Sequence, residues 1–161
     1  RTSRYKMGAW ISICFSSRRR QDANNRQKIL NDHNQYRARH HANPLKLTTA
    51  LNKSAQAYAN QLARNDAGLK HSGTEYGENL ALGQPVENVT SAWYDEVANY
   101  NFQNGGFSSS TGHFTAIVWK STTSMGVGIA RSKTGRLFIV AQYSPAGNVT
   151  EHFAENVLPA N

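Results

Sequence analysis

The residues best suited to chemistry in this sequence are histidines and glutamates that stand in separate segments. His113 lies in an otherwise apolar run, where a titratable side chain needs a partner. Glu96 follows Trp93 by three residues and precedes Tyr100 by four, so it falls on the apolar stripe of a predicted helix. A carboxylate on a buried face is costly unless it is paired or hydrogen-bonded. We therefore expect Glu96 to meet His71, His113 or a metal ion.

Two helices are predicted before the segment that contains His71. Residues 22–41 are polar, lack Gly and Pro, and show helical spacing, which predicts a first helix that ends before Pro44. Thr48 or Thr49 can cap a second helix, whose apolar stripe ends near Gly68. Both predicted helices precede the candidate site residues in the sequence.

A third helix and a β-hairpin are predicted around Glu96 and His113. The helix begins at Pro85 and its apolar stripe continues to Tyr100, and residues 101–112 form a loop rich in Asn, Gly and Ser. Strands at 125–131 and 136–143 form the hairpin. Because residues 137–141 are a continuous apolar run, we expect that strand to be covered on both faces, between helical layers.

Three segments resemble the signature segments of one superfamily, namely GENLA, GHFTAIVWKST and IVAQYSPAGN. It is the cysteine-rich secretory protein, antigen 5 and pathogenesis-related superfamily, called CAP or SCP/TAPS, and the similarity runs from about Asn31 to Pro159. Hydrophobic pattern and resemblance together imply an α+β fold, an α-β-α sandwich with a mostly antiparallel central sheet between helices. Residues 22–161 would form this single CAP domain. Ala141 stands where the second signature normally has a cysteine, so one family disulfide is absent.

Four residues match the family's central cavity position by position: His71, Glu78, Glu96 and His113. The resemblance implies that they line one cleft, which in some members binds a divalent metal, commonly zinc. Neutral imidazoles suit zinc, and carboxylates can complete the shell or hold the imidazoles in one tautomer. We therefore expect His71 and His113 to be the metal ligands of a zinc-binding cleft. Folding should not depend on the metal, because a core of this size needs no crosslink.

The positive charge of the chain is concentrated at its N-terminal end. The formal net charge is +8, and residues 1–28 contain eight Lys or Arg against one Asp. A nearly neutral remainder argues against a nucleic-acid-binding surface on the domain. We interpret residues 1–21 as a flexible basic tail, in which Arg18, Arg19 and Arg20 form a candidate patch for an anionic membrane. A solvated terminus without a role is the alternative.

The same N-terminal segment contains two candidate lipid anchors. If translation starts at Met7, the run from Gly8 to Ser12 fits the myristoylation pattern. One myristoyl chain holds a protein only marginally, so a second signal is needed, such as palmitoylation of Cys14 or the nearby arginines. Cys14 is the single cysteine, which favours a reducing compartment. We expect peripheral association with the cytoplasmic face of Golgi or other endomembranes, with secretion as the alternative.

Two enzymatic hypotheses apply to the cleft. Paired carboxylates could hydrolyse glycosides, but that mechanism depends on their separation. Ser108, Ser109 and Ser110 precede His113, yet no Gly-x-Ser-x-Gly elbow holds a nucleophile there. The family has no single assigned activity, and the resemblance implies binding of lipids, sterols, metal or protein partners. We expect a non-enzymatic, homodimeric binding protein, and the alternative is a secreted CAP protein with cleft-based, metal-dependent hydrolase activity.

Overall fold

The computed structural model describes residues 6–161, with side chains from Ser16 onward. Helix α1 spans Lys6–Arg39 and is 34 residues long, so it begins before the predicted position at residue 22. Between Ala9 and Asn43 the sequence has neither Gly nor Pro, and nothing in the chain interrupts the helix. Residues 6–21, which we interpreted as part of a flexible tail, therefore continue α1. The division at residue 21 is not marked by a change of secondary structure.

Nine further elements follow α1 in the described part of the chain. They are β1 Lys46–Leu47, α2 Thr49–Asn65, β2 Gly77–Leu82, α3 Val86–Tyr94, a 3₁₀ helix Asp95–Asn99, α4 Gly112–Val118, β3 Ser124–Arg131, β4 Leu137–Ser144 and α5 Phe153–Asn156. The sequence pattern had not predicted β1, β2 or α5. The predicted third helix is also divided, because α3 ends at Tyr94 and a 3₁₀ helix carries the chain past Glu96.

The four strands form one sheet in the order β1-β3-β4-β2. The β3/β4 and β2/β4 pairs are antiparallel, and the parallel β1/β3 contact involves only two residue pairs. Strand β4 has a neighbour on each side, and Phe138, Ile139, Val140 and Ala141 are fully buried. The predicted internal strand and the mostly antiparallel α+β sheet are therefore confirmed.

Helices cover both faces of this sheet and form the outer layers of the sandwich. Phe138 and Val140 of β4 pack with the alanines of α2, such as Ala55 and Ala59. The alternate residues of β4 face a larger core that contains Ile29 of α1, Trp93 of α3 and Phe114 of α4. This second core holds the elements that carry Glu96 and His113.

Two glycines of β3 let helix α2 lie directly on the sheet. A Cβ added at Gly126 would come within 2.1 Å of the Leu51 carbonyl carbon, and one at Gly128 within 2.1 Å of the Ala55 carbonyl oxygen. Any side chain at these positions would push the helix away. Among the described helices, none is long and apolar enough to cross a membrane.

Candidate functional site

Glu96 and His113 form the first of two histidine–glutamate pairs. The Nδ1 atom of His113 lies 2.7 Å from Oε1 of Glu96, and the side chains are 36% and 20% exposed. Because an ionised carboxylate only accepts hydrogen bonds, Nδ1 carries the hydrogen, and in the neutral imidazole Nε2 keeps its lone pair. The Trp93 ring lies nearly parallel to the imidazole, with the ring centroids 6.0 Å apart.

The second oxygen of Glu96 caps helix α4. Oε2 accepts hydrogen bonds from the backbone N–H groups of His113, at 2.9 Å, and Phe114, at 3.2 Å. Thr111, which precedes the helix, makes no side-chain capping bond of its own. The N–H groups in the first turn of a helix have no partner within the helix, and a negative charge there also interacts favourably with the helix dipole. Glu96 therefore fixes both the imidazole and the helix that carries it.

His71 and Glu78 form the second pair. The Nδ1 atom of His71 lies 2.8 Å from Oε1 of Glu78, which also accepts the backbone N–H of Ser72 at 2.9 Å. The two side chains differ greatly in exposure, at 68% for His71 and 4% for Glu78. Glu78 is thus the buried, fixed member of the pair, and His71 is the solvent-facing one.

Strand pairing holds Glu78 in place. Glu78 of β2 stands opposite Gln142 of β4, and the Gln142 amide donates to Oε2 of Glu78 at 3.0 Å. Burial alone would raise the pKa of Glu78, but the hydrogen bonds from Gln142, Ser72 and His71 outweigh it and lower the pKa below its usual range. The carboxylate is therefore stabilised in its charged form inside the fold.

Strand β2 also connects the two pairs. Asn79, next to Glu78, donates from its side chain to the backbone carbonyl of His113 at 3.1 Å. Burial raises the pKa of the Tyr143 phenol and the nearby Asn79 side chain lowers it in part, and this phenol lies 2.8 Å from Nε2 of the buried His33. Neighbouring residues of a strand point to opposite faces. Glu78 therefore forms the second pair on one face of β2, and Asn79, on the other face, positions the first pair through the backbone of His113.

The free atoms of the site are imidazole nitrogens rather than carboxylate oxygens. Both oxygens of Glu96 and both oxygens of Glu78 accept hydrogen bonds from described residues. The Nε2 atoms of His71 and His113 have no hydrogen-bond partner among those residues. The carboxylates hold the rings in one tautomer, as the outer partners of metal-binding histidines do.

A zinc ion would find the right tautomers here but too few donors. Structural zinc sites use four protein ligands and catalytic sites three. Within the part of the chain that the structure describes, no three His, Cys, Asp or Glu side chains are placed to hold one metal ion. His71 and His113 could each offer Nε2, but the described residues do not fit a complete zinc site.

The hydroxyls near the site do not form a hydrolytic triad. Ser108 and Ser110 hydrogen-bond to each other at 2.9 Å, and the backbone N–H of Ser110 bonds to the Ser108 hydroxyl. Neither serine, nor Ser109 between them, hydrogen-bonds to His113. This loop is a local turn of the kind that serine side chains commonly stabilise.

The remaining predicted residues lie in helix α1. Arg18, Arg19 and Arg20 are exposed on its N-terminal half. Gly8 and Cys14 lie earlier in the helix, and their surroundings fall outside the side chains that the structure describes. The lipid-anchor hypothesis for these two residues therefore stays a prediction.

Sequence reasoning missed three residues that position the site, namely Asn79, Trp93 and Gln142. The Trp93 indole donates to the carbonyl of Leu80 at 3.3 Å and so fixes α3 against β2. Asn79 and Gln142 are polar and less than 2% exposed. Polar residues inside the apolar segments GENLA and IVAQY were the available signal, since a buried amide needs partners.

Comparisons with known proteins agree with this architecture. The family model described as "Cysteine-rich secretory protein family" (CAP) matches residues 30–143. Human Golgi-associated plant pathogenesis-related protein 1 is 50% identical over 141 residues, which cover 82% of this chain and 91% of that protein. Secreted protein RBT4 of Candida albicans is 39% identical over 147 residues, 82% of this chain but only 40% of that protein.

A solved structure, described as the crystal structure of NaASP2 with Zn²⁺, has the same fold. It superposes with a TM-score of 0.61 and 23% identity, covering 84% of this chain and 85% of that one. At this identity the likeness concerns the fold alone. The family-model match and the similarity to the human protein show that the chain belongs to the CAP, or cysteine-rich secretory protein, family.

Proposed function

We propose that this CAP protein is a non-enzymatic binding protein that associates peripherally with anionic membrane surfaces. The observation that carries the proposal is the exposed run Arg18, Arg19 and Arg20 on the N-terminal half of α1. Each basic residue near an anionic surface contributes about 1 kcal/mol of attraction. Because α1 is continuous, this basic segment is joined to the folded domain by helix, which leaves fewer conformations to lose on binding.

The way the site uses its polar atoms supports a non-enzymatic role. Both carboxylates are occupied as hydrogen-bond acceptors, and Glu96 is also the cap of α4. A general acid, a nucleophile or a general base needs an atom that can reach a substrate. Nε2 of His113 is such an atom, but none of the neighbouring serines hydrogen-bonds to His113, as a nucleophile activated by it would. The histidine–glutamate pairs therefore serve to shape a surface that binds.

The names of two relatives suggest two places for such a protein. One relative is called Golgi-associated and the other secreted. We favour the cytoplasmic face of Golgi or other endomembranes, because one cysteine allows no internal disulfide. Myristoylation of Gly8 and palmitoylation of Cys14 would add the two chains that stable anchoring requires. We include lipid or sterol binding and a homodimer in the proposal.

Co-sedimentation with vesicles tests the proposal, with a panel of hydrolase substrates run beside it. The chain should sediment with vesicles that contain anionic lipid and stay in solution with phosphatidylcholine alone. Turnover of any panel substrate by the wild type that is lost in Glu96→Gln would favour the enzymatic alternative. No sedimentation with either vesicle would refute the membrane proposal.

Expression in cells tests the anchor and the compartment. The chain begun at Met7 and its Gly8→Ala variant are expressed with an alkyne analogue of myristate, and label and membrane fraction are followed. The wild type should be labelled and pelleted with membranes, and the variant should lose both. An unlabelled wild type, or a variant that stays on membranes, would exclude the myristoyl anchor, and recovery from the medium would favour secretion.

A further inference from the structure

A basic groove lies away from the histidine–glutamate pairs. Helices α1 and α2 and the turn end of the β3/β4 hairpin enclose a volume of about 1040 Å³. Its cationic side chains are Arg18, Arg26, Arg64, Arg131 and Lys133. In β4 the groove meets Leu137, whereas the Glu78 pair meets Gln142, so the two sites are separated by roughly 16 Å of strand.

Three of these cations have no competing partner. Arg18, Arg64 and Lys133 are exposed and make no hydrogen bond or ion pair with other described residues. Arg26, by contrast, donates to the carbonyl of Val127 and to the Gln56 side chain and so closes the open edge of β3. Arginines and lysines without protein partners are available to an anionic ligand.

The two carboxylates of the groove cancel little of this charge. Asp66 is already bound by Arg136, at 2.6 Å, and by the Thr134 hydroxyl, at 2.5 Å. The hydrogen bond from Thr134, with those from Arg136, lowers the pKa of Asp66, so this carboxylate stays charged and paired. Asp22 of α1 is the other carboxylate in the lining, four residues from both Arg18 and Arg26. Five cations face these two acids, so the groove is cationic.

Part of the groove lining is apolar. It includes Ala63, Ile129, Ala130 and Leu137, from α2 and the two hairpin strands, beside the polar Gln56 and Asn60 of α2. Cations next to apolar side chains complement a molecule that carries an anionic group next to a hydrocarbon part. A volume of this size matches the pockets that bind small ligands, which run to about 1000 Å³.

We propose that this groove binds the phosphomonoester headgroup of an anionic membrane lipid. The phosphate lies between Arg64, Lys133 and Arg131, whose guanidinium donates from one nitrogen to the Gly135 carbonyl at 2.7 Å and has further N–H groups for the ligand. The glycerol and first acyl carbons contact Ile129 and Leu137. A phosphomonoester has three acceptor oxygens and close to two negative charges at neutral pH, which suits guanidinium groups better than a single carboxylate does. This inference rests on the proposed membrane function for the source of the phosphate, and it gives the folded domain its own contact with the bilayer.

The test uses the full chain and two forms of one lipid. Dihexanoyl phosphatidic acid, which stays monomeric, is titrated calorimetrically, and vesicles of phosphatidylcholine with phosphatidic acid or phosphatidylserine, at equal surface charge, are used for sedimentation. The variants are Arg64→Gln, Lys133→Gln and their double variant. The matched control is Lys53→Gln, which neutralises another exposed cation of α2 outside the groove.

We expect each groove variant to weaken binding of the monomeric lipid roughly fivefold, and the double variant about 25-fold, from the usual attraction of one cation. Lys53→Gln should leave binding close to wild type, and vesicles with phosphatidic acid should bind more chain than those with phosphatidylserine. A double variant that binds like Lys53→Gln, or a hexaglutamate peptide that displaces the monomeric lipid at equal concentration, would overturn the inference.

The two proposals can fail separately. Sedimentation with anionic vesicles that the groove variants do not change would refute the groove and leave peripheral membrane binding in place. Groove-dependent binding of the monomeric lipid without vesicle sedimentation would support the groove and refute the membrane proposal.

Discussion

Replacing Glu96 by Gln tests whether one carboxylate holds both His113 and helix α4. Glu96 accepts three hydrogen bonds, one from Nδ1 of His113 and two from the backbone N–H groups of His113 and Phe114. Glutamine has one acceptor oxygen and one NH₂ donor. If its oxygen keeps the two backbone N–H groups, its NH₂ faces Nδ1 of the imidazole. The ring must then move its hydrogen to Nε2, so the variant should reverse the tautomer of His113.

The expected loss of stability follows from the same three bonds. Hydrogen bonds to a charged group contribute about 1.5–3 kcal/mol each and neutral ones about 0.5–1.5 kcal/mol. Two backbone bonds that become neutral therefore cost about 2 kcal/mol, and Glu96 is sufficiently buried, at 20% exposed, for most of this to be retained. Glu96→Ala removes every acceptor and should cost about 3 kcal/mol, because water satisfies the helix N-terminus only in part.

Two measurements check this prediction. Urea unfolding of wild type, Glu96→Gln and Glu96→Ala gives the stability order, and ¹⁵N chemical shifts of the imidazoles give the tautomer of His113. The matched control is Glu155→Gln, since Glu155 contacts Nδ1 of His152 at 2.6 Å but both side chains are more than half exposed. The control should unfold like wild type. Equal stability of Glu96→Gln and Glu155→Gln, with His113 keeping its tautomer, would refute the dual role of Glu96.

Three further predictions concern the core, the pH and the metal. Gly128→Ala places Cβ 2.1 Å from the Ala55 carbonyl oxygen, so urea unfolding should show a loss of about 3 kcal/mol or more, and a loss under about 1 kcal/mol would contradict the close packing of α2. Burial, with the charge of Arg37, lowers the pKa of His33 to about 4. In this pH range the unfolded chain binds a proton at His33 that the folded chain does not bind, so the free energy of unfolding should fall by about 3 kcal/mol as pH drops from 6.5 to 4. The free energy of unfolding of His33→Gln should depend less steeply on pH, and equal slopes for the variant and the wild type would contradict this. EDTA should leave the melting temperature unchanged, as the described residues hold no three-donor metal group, and a lower melting temperature would reveal a folding metal.

The need of Glu96 for a partner could be predicted from the sequence because the penalty for burying a bare carboxylate is large. The sequence also named His113 among the possible partners of Glu96, but it did not distinguish His113 from His71 or a metal ion, and it did not indicate that Glu96 caps α4. The apolar stripe continues to Tyr100, but the helix tightens into a 3₁₀ turn after Tyr94, and this turn places Glu96 at the start of α4. Helix capping between elements depends on tertiary packing, which a single apolar stripe does not encode.

Strand β2 shows a second limit of sequence patterns. Its residues, Gly77–Leu82, include no β-branched or aromatic side chain, so propensity gives no signal for a strand. The segment becomes a strand through its pairing with β4, and only the observed register places Gln142 opposite Glu78. The hydrogen bond from Gln142 to Glu78 therefore could not be predicted before the sheet order was known. The hairpin and the internal position of β4, in contrast, followed from a continuous apolar run.

For helix α1 the sequence predicted the concentration of positive charge near the N-terminus but not the helix that carries it. The cluster of basic residues was evident, and so was the lack of Gly and Pro after Ala9. We nevertheless interpreted residues 1–21 as a tail, because arginine-rich polar segments commonly stay solvated. The basic groove depends on this helix and on two elements distant in sequence, so it has no signature in any one segment.

Vesicle binding as a function of salt tests the central claim, that this protein binds anionic membranes through exposed arginines, most directly. Wild type is compared with the triple variant Arg18→Gln, Arg19→Gln and Arg20→Gln on phosphatidylcholine vesicles with and without anionic lipid. The account predicts wild-type binding only to anionic vesicles, weakened as salt shortens the screening length from about 8 Å to about 3 Å, and much weaker binding of the triple variant. Wild-type binding that is equal on neutral vesicles, insensitive to salt or unchanged in the triple variant would contradict it.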